Sequence, residues 1–188
     1  MSKQKLTREQ QARLKAFGDG ISFSEGTQGY NTYFGGGTYD NNLPHPGTVV
    51  RRTPTSQGSS AAGRYQFMPN TWKEIHGGNV PMTEENQEAG FVTLLKRRGA
   101  YNDVLNGNFE QAYKKVTNEW ASVKGNSYTF NGQPQGKHSP KDLATYTQER
   151  YKFHNQPPPP PPAGGILSSP IQSEQSGGLF TGKTGLTY

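Results

Sequence analysis

The stretch from residue 30 to residue 60, YNTYFGGGTYDNNLPHPGTVVRRTPTSQGSS, decides the fold. No helix passes through Gly35-Gly36-Gly37 or Pro44-His45-Pro46, because three glycines leave the backbone too free and proline removes a donor. Tyr33-Phe34 and Thr48-Val49-Val50 carry the aromatic and β-branched side chains that favour short strands. The stretch therefore predicts a small, irregular β subdomain made mostly of loops.

Helical patterns flank it on both sides. Thr7 with Gln10 forms a capping-box signature, and Leu14, Phe17 and Ile21 follow at helical spacing. This first helix is expected to stop just before Glu25. A short helix is predicted from Met68 to His76, with Pro69 in its first turn. Thr83 caps a third, with Phe91, Leu94 and Leu95 on one face and an end near Arg98-Gly99. Phe109, Ala112, Tyr113, Val116 and Trp120 predict a fourth amphipathic helix. Ser139-Pro140-Lys141-Asp142 supplies a cap, an N1 proline and an N3 acid for a last one, carrying Leu143, Tyr146 and Arg150. The expected class is α+β and mainly helical, with the β subdomain and a helical lobe flanking a cleft that suits an extended polymer.

Six prolines, Pro157 to Pro162, close this body. They predict a polyproline spacer, followed by a Gly- and Ser-rich tail with too few apolar groups for a core. The expected division is residues 1–156 as one domain and 157–188 as a tail, unstructured or docking on a partner through Ile166, Leu167, Leu179 and Phe180. The tail carries one Glu and one Lys, so the net charge of +6 belongs to residues 1–156. A basic body suits a polyanionic partner, whether nucleic acid, anionic lipid or a cell-wall polymer. No dense basic helix or nucleic-acid motif accompanies the charge, so no specific nucleic acid is expected.

Several chemistries are excluded. The chain of 188 residues has no cysteine, so disulfides and thiolate chemistry are out. Its four histidines lack zinc-ligand spacing, and Gly35-Gly36-Gly37 has no Gly-Lys-Ser/Thr after it to hold a phosphate. Neither a metal nor a cofactor is expected. No apolar run approaches 18 residues, and the first residues, MSKQKLTREQ, are not a signal peptide, so no membrane insertion and no secretory export are expected.

Glu25 in Ser22-Phe23-Ser24-Glu25-Gly26 is the foremost candidate for chemistry. Apolar neighbours Ile21 and Phe23 would partly remove its carboxyl from water, raising its pKa as a general acid requires. Its local pattern also fits an exposed Glu at a helix end, although the helix dipole disfavours a carboxylate there. Ala61–Trp72 is the second segment. Gly63 permits close backbone approach, Tyr65 offers a flat face for a sugar ring, and Gln66 both donates and accepts. Arg64 fits either a surface charge or the partner of an acid near the cleft. Phe67 and Trp72 read as core. Glycoside hydrolysis ordinarily uses a second carboxylate, and Asp40 is the best placed for it, ahead of Asp19.

Together these motifs, in their order, resemble the lambda-type phage endolysins and related muramidases. The likeness runs from Ser24-Glu25-Gly26-Thr27 through the aromatic and glycine segment to Gly37, His45-Pro46, Gly63-Arg64-Tyr65-Gln66, Lys96–Ala100 and Glu119-Trp120-Ala121-Ser122, over residues 10–154. It implies a lysozyme-like fold that cleaves the β-1,4 bond between N-acetylmuramic acid and N-acetylglucosamine in peptidoglycan. The implied catalytic acid is Glu25. The implied saccharide contacts are Ser24, Tyr30, Tyr33, Asp40, Gly63, Arg64, Tyr65 and Gln66. Lambda-type members act as lytic transglycosylases with no essential second carboxylate, which relaxes the demand on Asp40; hydrolysis and anhydro formation both stay open. The resemblance further implies synthesis in the host cytoplasm, with holin-type release or delivery in a virion. The proline-rich tail raises contacts with virion or tail proteins, and a non-catalytic wall-binding role is the rival expectation.

Overall fold

A capping box opens the first helix, α1 (Arg8–Glu25): Thr7 Oγ1 accepts from the Gln10 amide at 3.2 Å, and Gln10 Oε1 accepts from the Thr7 amide at 3.0 Å. Its far end is a Schellman-type stop. Gly26, at φ +72°, donates to the Phe23 carbonyl while Thr27 donates to Ser22. This computed structural model describes residues 5–51, 53–127, 129–130, 133–134 and 136–157. The expectations for residues 158–188 lie outside them.

The other helices are α2 (Pro69–His76), α3 (Glu84–Arg97), α4 (Tyr101–Asn106), α5 (Phe109–Val116) and α6 (Pro140–His154). Thr83 caps α3 and Ser139 caps α6, both with side-chain oxygens on the third helical amide. The core forms around α1, whose Leu14, Phe17 and Ile21 are buried. The Phe17 ring lies 4.3 Å from Tyr113, 6.4 Å from Phe91 and 6.3 Å from Phe109, joining α1 to α5 and α3. Each such ring withdrawn from water contributes roughly 1.5–3 kcal/mol. No described helix is long and apolar enough to cross a membrane.

Three expectations need correction. The segments at Tyr33-Phe34 and Thr48–Val50 are not strands; the β subdomain is held by single bridges, Thr32–Thr38, Tyr33–Ala62, Val50–Ser59 and Ala62–Phe67. At the first of them the chain turns back at once, Tyr33 donating to the Gly37 carbonyl and Gly36 to the Tyr33 carbonyl. The two-stranded hairpin lies elsewhere, β1 (Thr129–Phe130) against β2 (Gln133–Pro134). Trp120 does not continue α5, which ends at Val116. Its indole reaches the core from the following turn, donating to the Tyr65 carbonyl at 2.9 Å. Finally, α1 does not stop before Glu25 but includes it.

Candidate active site

Because α1 extends to Glu25, the acid falls four residues beyond Ile21 and continues the stripe Leu14, Phe17, Ile21. That register turns the carboxyl inward. Glu25 is half-buried, and burial raises its pKa above the ordinary 4.5. Hydrogen bonds from Ser122 and the charge of Lys137 oppose the rise without cancelling it. The C-terminal end of the helix dipole acts in the same sense as burial. Phe23, expected to shield the acid, points elsewhere. It is 47% exposed and stacks on Tyr146 of α6 at 4.4 Å.

Ser122 is the partner that sequence reasoning did not single out. Its hydroxyl lies 2.6 Å from Glu25 Oε1 and 2.8 Å from Ser24 Oγ. Ser24 Oγ in turn donates to the Ile21 carbonyl at 2.9 Å. Ser24 is only 2% exposed, so it meets Ser122 and not a saccharide; burial on the inner face of α1 corrects the expectation of a substrate contact. Sequence separation of 98 residues hid the pairing, though Ser122 lies in one of the segments that carry the family likeness.

The Gly63–Gln66 segment is a scaffold more than a lining. Gly63 sits at φ +84°, where a Cβ would collide with the Gln87 side chain. Gln87, fully buried, accepts from the Arg64 amide at 2.9 Å and donates to the Tyr30 carbonyl at 2.8 Å. Thr27 Oγ1 donates to the Arg64 carbonyl at 2.8 Å. Thus the turn after α1, α3 and the Trp120 turn all grip this segment. Tyr65 is corrected: at 2% exposure its ring cannot face a sugar, because it stacks on Phe91 at 4.4 Å and its hydroxyl donates to Glu88 at 2.6 Å. The Arg64 guanidinium pairs with Asp19 at 2.5 Å. Gln66, at φ +51°, donates its side-chain amide to the carbonyls of Gly63 and Thr32.

Tyr30 and Tyr33 are half-buried on the β side. Tyr30 donates to Glu88 at 2.6 Å, and burial, then the Glu88 carboxylate, raise its pKa. Tyr33 packs against Tyr39 at 5.2 Å. Asp40 is exposed, and its Oδ1 accepts both the amide and the side-chain nitrogen of Asn42, closing its own turn. His45 is fixed by Phe67 O on Nε2, 2.8 Å, and by the Gly47 amide on Nδ1, 3.1 Å; this pattern assigns the neutral tautomer with its proton on Nε2. A surface depression of about 440 Å³ between α5 and α6, lined by Asn108, Lys114, Ala144 and Gln148 among others, contains none of the candidate residues.

A family model described as Endolysin matches residues 15–150. The chain is 31% identical over 125 residues to the endolysin of Escherichia phage lambda, covering 61% of this chain and 78% of the relative. It is 32% identical over 91 residues to the endolysin of Escherichia phage P2, covering 46% of this chain and about half, 51%, of that relative. Among solved structures, bacteriophage lambda lysozyme complexed with a chitohexasaccharide superposes with a TM-score of 0.64 at 27% identity, over 74% of this chain and 94% of that one. A second lambda lysozyme structure, 24% identical with a TM-score of 0.58 over 77% of this chain and 94% of that one, shares the fold. With its lysozyme-like α+β fold and a family model spanning most of its length, the chain belongs to the phage endolysin family, enzymes of the lysozyme type that cleave glycosidic bonds.

Proposed function

We propose that this enzyme cleaves the β-1,4 bond between N-acetylmuramic acid and N-acetylglucosamine in peptidoglycan, with Glu25 as general acid and then general base. The observation that carries this is the inward-facing Glu25 carboxyl at the end of α1, kept protonated to higher pH by burial and held by Ser122. Protonated Glu25 donates to the glycosidic oxygen as the bond breaks, and the muramyl ring becomes oxocarbenium-like. The resulting carboxylate then takes the proton of the muramyl 6-hydroxyl, which closes on the anomeric carbon as a 1,6-anhydro ring. Proximity favours this internal attack over water. In this reading one carboxyl, Glu25, serves both steps, and Asp40 Oδ1 accepts from Asn42 within its own turn. The chitohexasaccharide held by the related lambda lysozyme supports a β-1,4-linked N-acetyl sugar chain as the ligand class. Tyr33 and the exposed loop around Asp40 are the proposed saccharide contacts on the β side. The net charge of +6 draws the body to an anionic wall. Residues 157–188 are proposed as a spacer and docking tail for virion proteins.

Glu25→Gln is the test. It abolishes clearing of a peptidoglycan suspension, by at least about 100-fold, while helicity is unchanged. Mass spectrometry of wild-type products shows muramyl ends lighter by one water. Ordinary reducing ends would assign hydrolysis instead, and retained clearing by Glu25→Gln would remove Glu25 from the mechanism. Absence of any soluble fragment from wild type would leave a wall-binding role.

A further inference from the structure

Two hydroxyls and a backbone carbonyl stand in line behind the Glu25 carboxyl. Glu25 Oε1 is 2.6 Å from Ser122 Oγ, Ser122 Oγ is 2.8 Å from Ser24 Oγ, and Ser24 Oγ is 2.9 Å from the Ile21 carbonyl. A serine hydroxyl has one proton to donate and two lone pairs to accept with, and it turns freely about its C–O bond. Ser122 therefore cannot donate to Glu25 and to Ser24 together. If it donates to Glu25, Ser24 must turn to donate to Ser122 and release Ile21, or two oxygens face each other at 2.8 Å with no proton between them. If Glu25 carries the proton, every bond runs one way: Glu25 to Ser122, Ser122 to Ser24, Ser24 to the Ile21 carbonyl. The heavy-atom spacing serves both arrangements.

We propose that Ser122, backed by Ser24, is the positioning residue that lets a single carboxyl act first as proton donor and then as proton acceptor without changing its place. This rests on Glu25 being the acid. Two hydroxyl rotations replace movement of the carboxyl between the steps. The frame is rigid enough for this. The Ser122 carbonyl accepts from the amides of Lys137 at 2.7 Å and His138 at 3.2 Å, and the preceding turn is pinned by the Trp120 indole on the Tyr65 carbonyl. Lys137 is the charged neighbour acting on Glu25, and its attraction favours the ionised form.

The proposal predicts opposite effects from two serines in one contact. Ser122→Ala removes a donor to the carboxylate, so Glu25 ionises at higher pH. Ser24→Ala leaves Ser122 its bond to the carboxylate but removes the acceptor that Ser122 needs when Glu25 is protonated, so Glu25 ionises at lower pH. The full chain, labelled with ¹³C at the Glu side-chain carboxyls, is titrated by NMR with Glu25→Gln identifying the resonance. In parallel, kcat/KM for peptidoglycan is measured across pH. A midpoint raised by about one pH unit, tenfold in the ionisation constant, is expected for Ser122→Ala, and a smaller downward move for Ser24→Ala. The alkaline limb of the activity profile follows each midpoint. An unmoved midpoint in Ser122→Ala, or the same sign in both variants, overturns the relay. If Ser122→Ala does not fold, Ser24→Ala alone decides: a midpoint that fails to fall overturns it. Glu25→Gln separates the two ideas. Lost clearing with unmoved serine midpoints keeps the acid and rejects the relay, whereas retained clearing rejects the acid itself.

Discussion

Glu25, the proposed acid, is a single residue whose burial comes at the expense of stability. Its folded pKa stands above the ordinary 4.5 because burial penalises the charged form. The native state thus holds its proton to higher pH than the unfolded chain. Stability from this group is complete below about 4.5 and is lost as pH rises through the folded value. Glutamine has the same shape and no charge to desolvate. Glu25→Gln is therefore expected to raise the melting temperature at neutral pH and to leave it unchanged near pH 4, in paired thermal scans. Equal melting temperatures at both values would mean that burial does not tax the carboxylate. Glu25 was legible as a candidate acid, a residue type in a suggestive setting. Its orientation was legible too, since positions 14, 17, 21 and 25 share a helical face, but only if the helix is extended to the left-handed glycine at 26. The partners Ser122 and Lys137 were not, because nothing local in the chain links position 25 to a residue 97 positions away, or to Lys137, whose amide donates to the Ser122 carbonyl. Tyr65 misled for a related reason. An aromatic with a hydroxyl suits a sugar platform and a buried stack equally, and the Phe91 ring that decides between them comes from α3.

Among the elements, α1 packs against α6 and α5 at a distance that only glycine allows. A Cβ on Gly20 would overlap the Tyr113 hydroxyl and stand 2.6 Å from Thr147 Oγ1. Those two groups are buried and hydrogen-bonded to each other at 2.7 Å. Gly20→Ala gains about 1 kcal/mol of helix propensity, yet overpacking and the disturbed buried hydrogen bond cost more. The expected balance is a loss of about 2 kcal/mol, or roughly 4–8 °C in thermal unfolding. A variant as stable as wild type would mean that α5 and α6 can move apart freely. Helices with chemical end signals were legible: α1, α3 and α6 each start at a capping Thr or Ser, and α2 starts at a proline. The six-residue α4 has an uncapped start at Ala100 and too few residues to show a period. Trp120 kept helical spacing with α5 while lying outside it, because burial in one core imposes the same apolar choice on a turn as on a helix.

Across the whole molecule, Asp19 joins parts that the sequence keeps far apart. From α1 it accepts Arg64 of the scaffold segment at 2.5 Å, Arg150 Nε at 2.7 Å and His154 Nε2 at 2.7 Å, the last two from α6. Burial alone would raise its pKa, but the hydrogen bonds from His154 and Arg150 and the charge of Arg64 outweigh burial and hold it below 3.8. The contribution of Asp19 is then complete above about 3.8 and disappears as pH falls through its lower folded value. His45 adds to the same slope earlier. Burial lowers its pKa below 6.5, so the unfolded chain takes up a proton first and stability declines from about 6.5 downwards. Asp19→Asn removes the charge facing two arginines while keeping the side chain's shape. Because Arg150 is about a third exposed, screening reduces the loss from that of a fully buried pair to about 2–3 kcal/mol at pH 7. The variant's denaturant midpoint should also lose part of its acid dependence below pH 3.8 and retain the decline that begins near 6.5. If the Asp19→Asn chain instead kept the full acid dependence of wild type, the clamp between α1, α6 and the scaffold segment would owe its strength to packing alone. The distinction bears on the proposed function, because that clamp fixes the helix whose last residue is Glu25, the proposed acid.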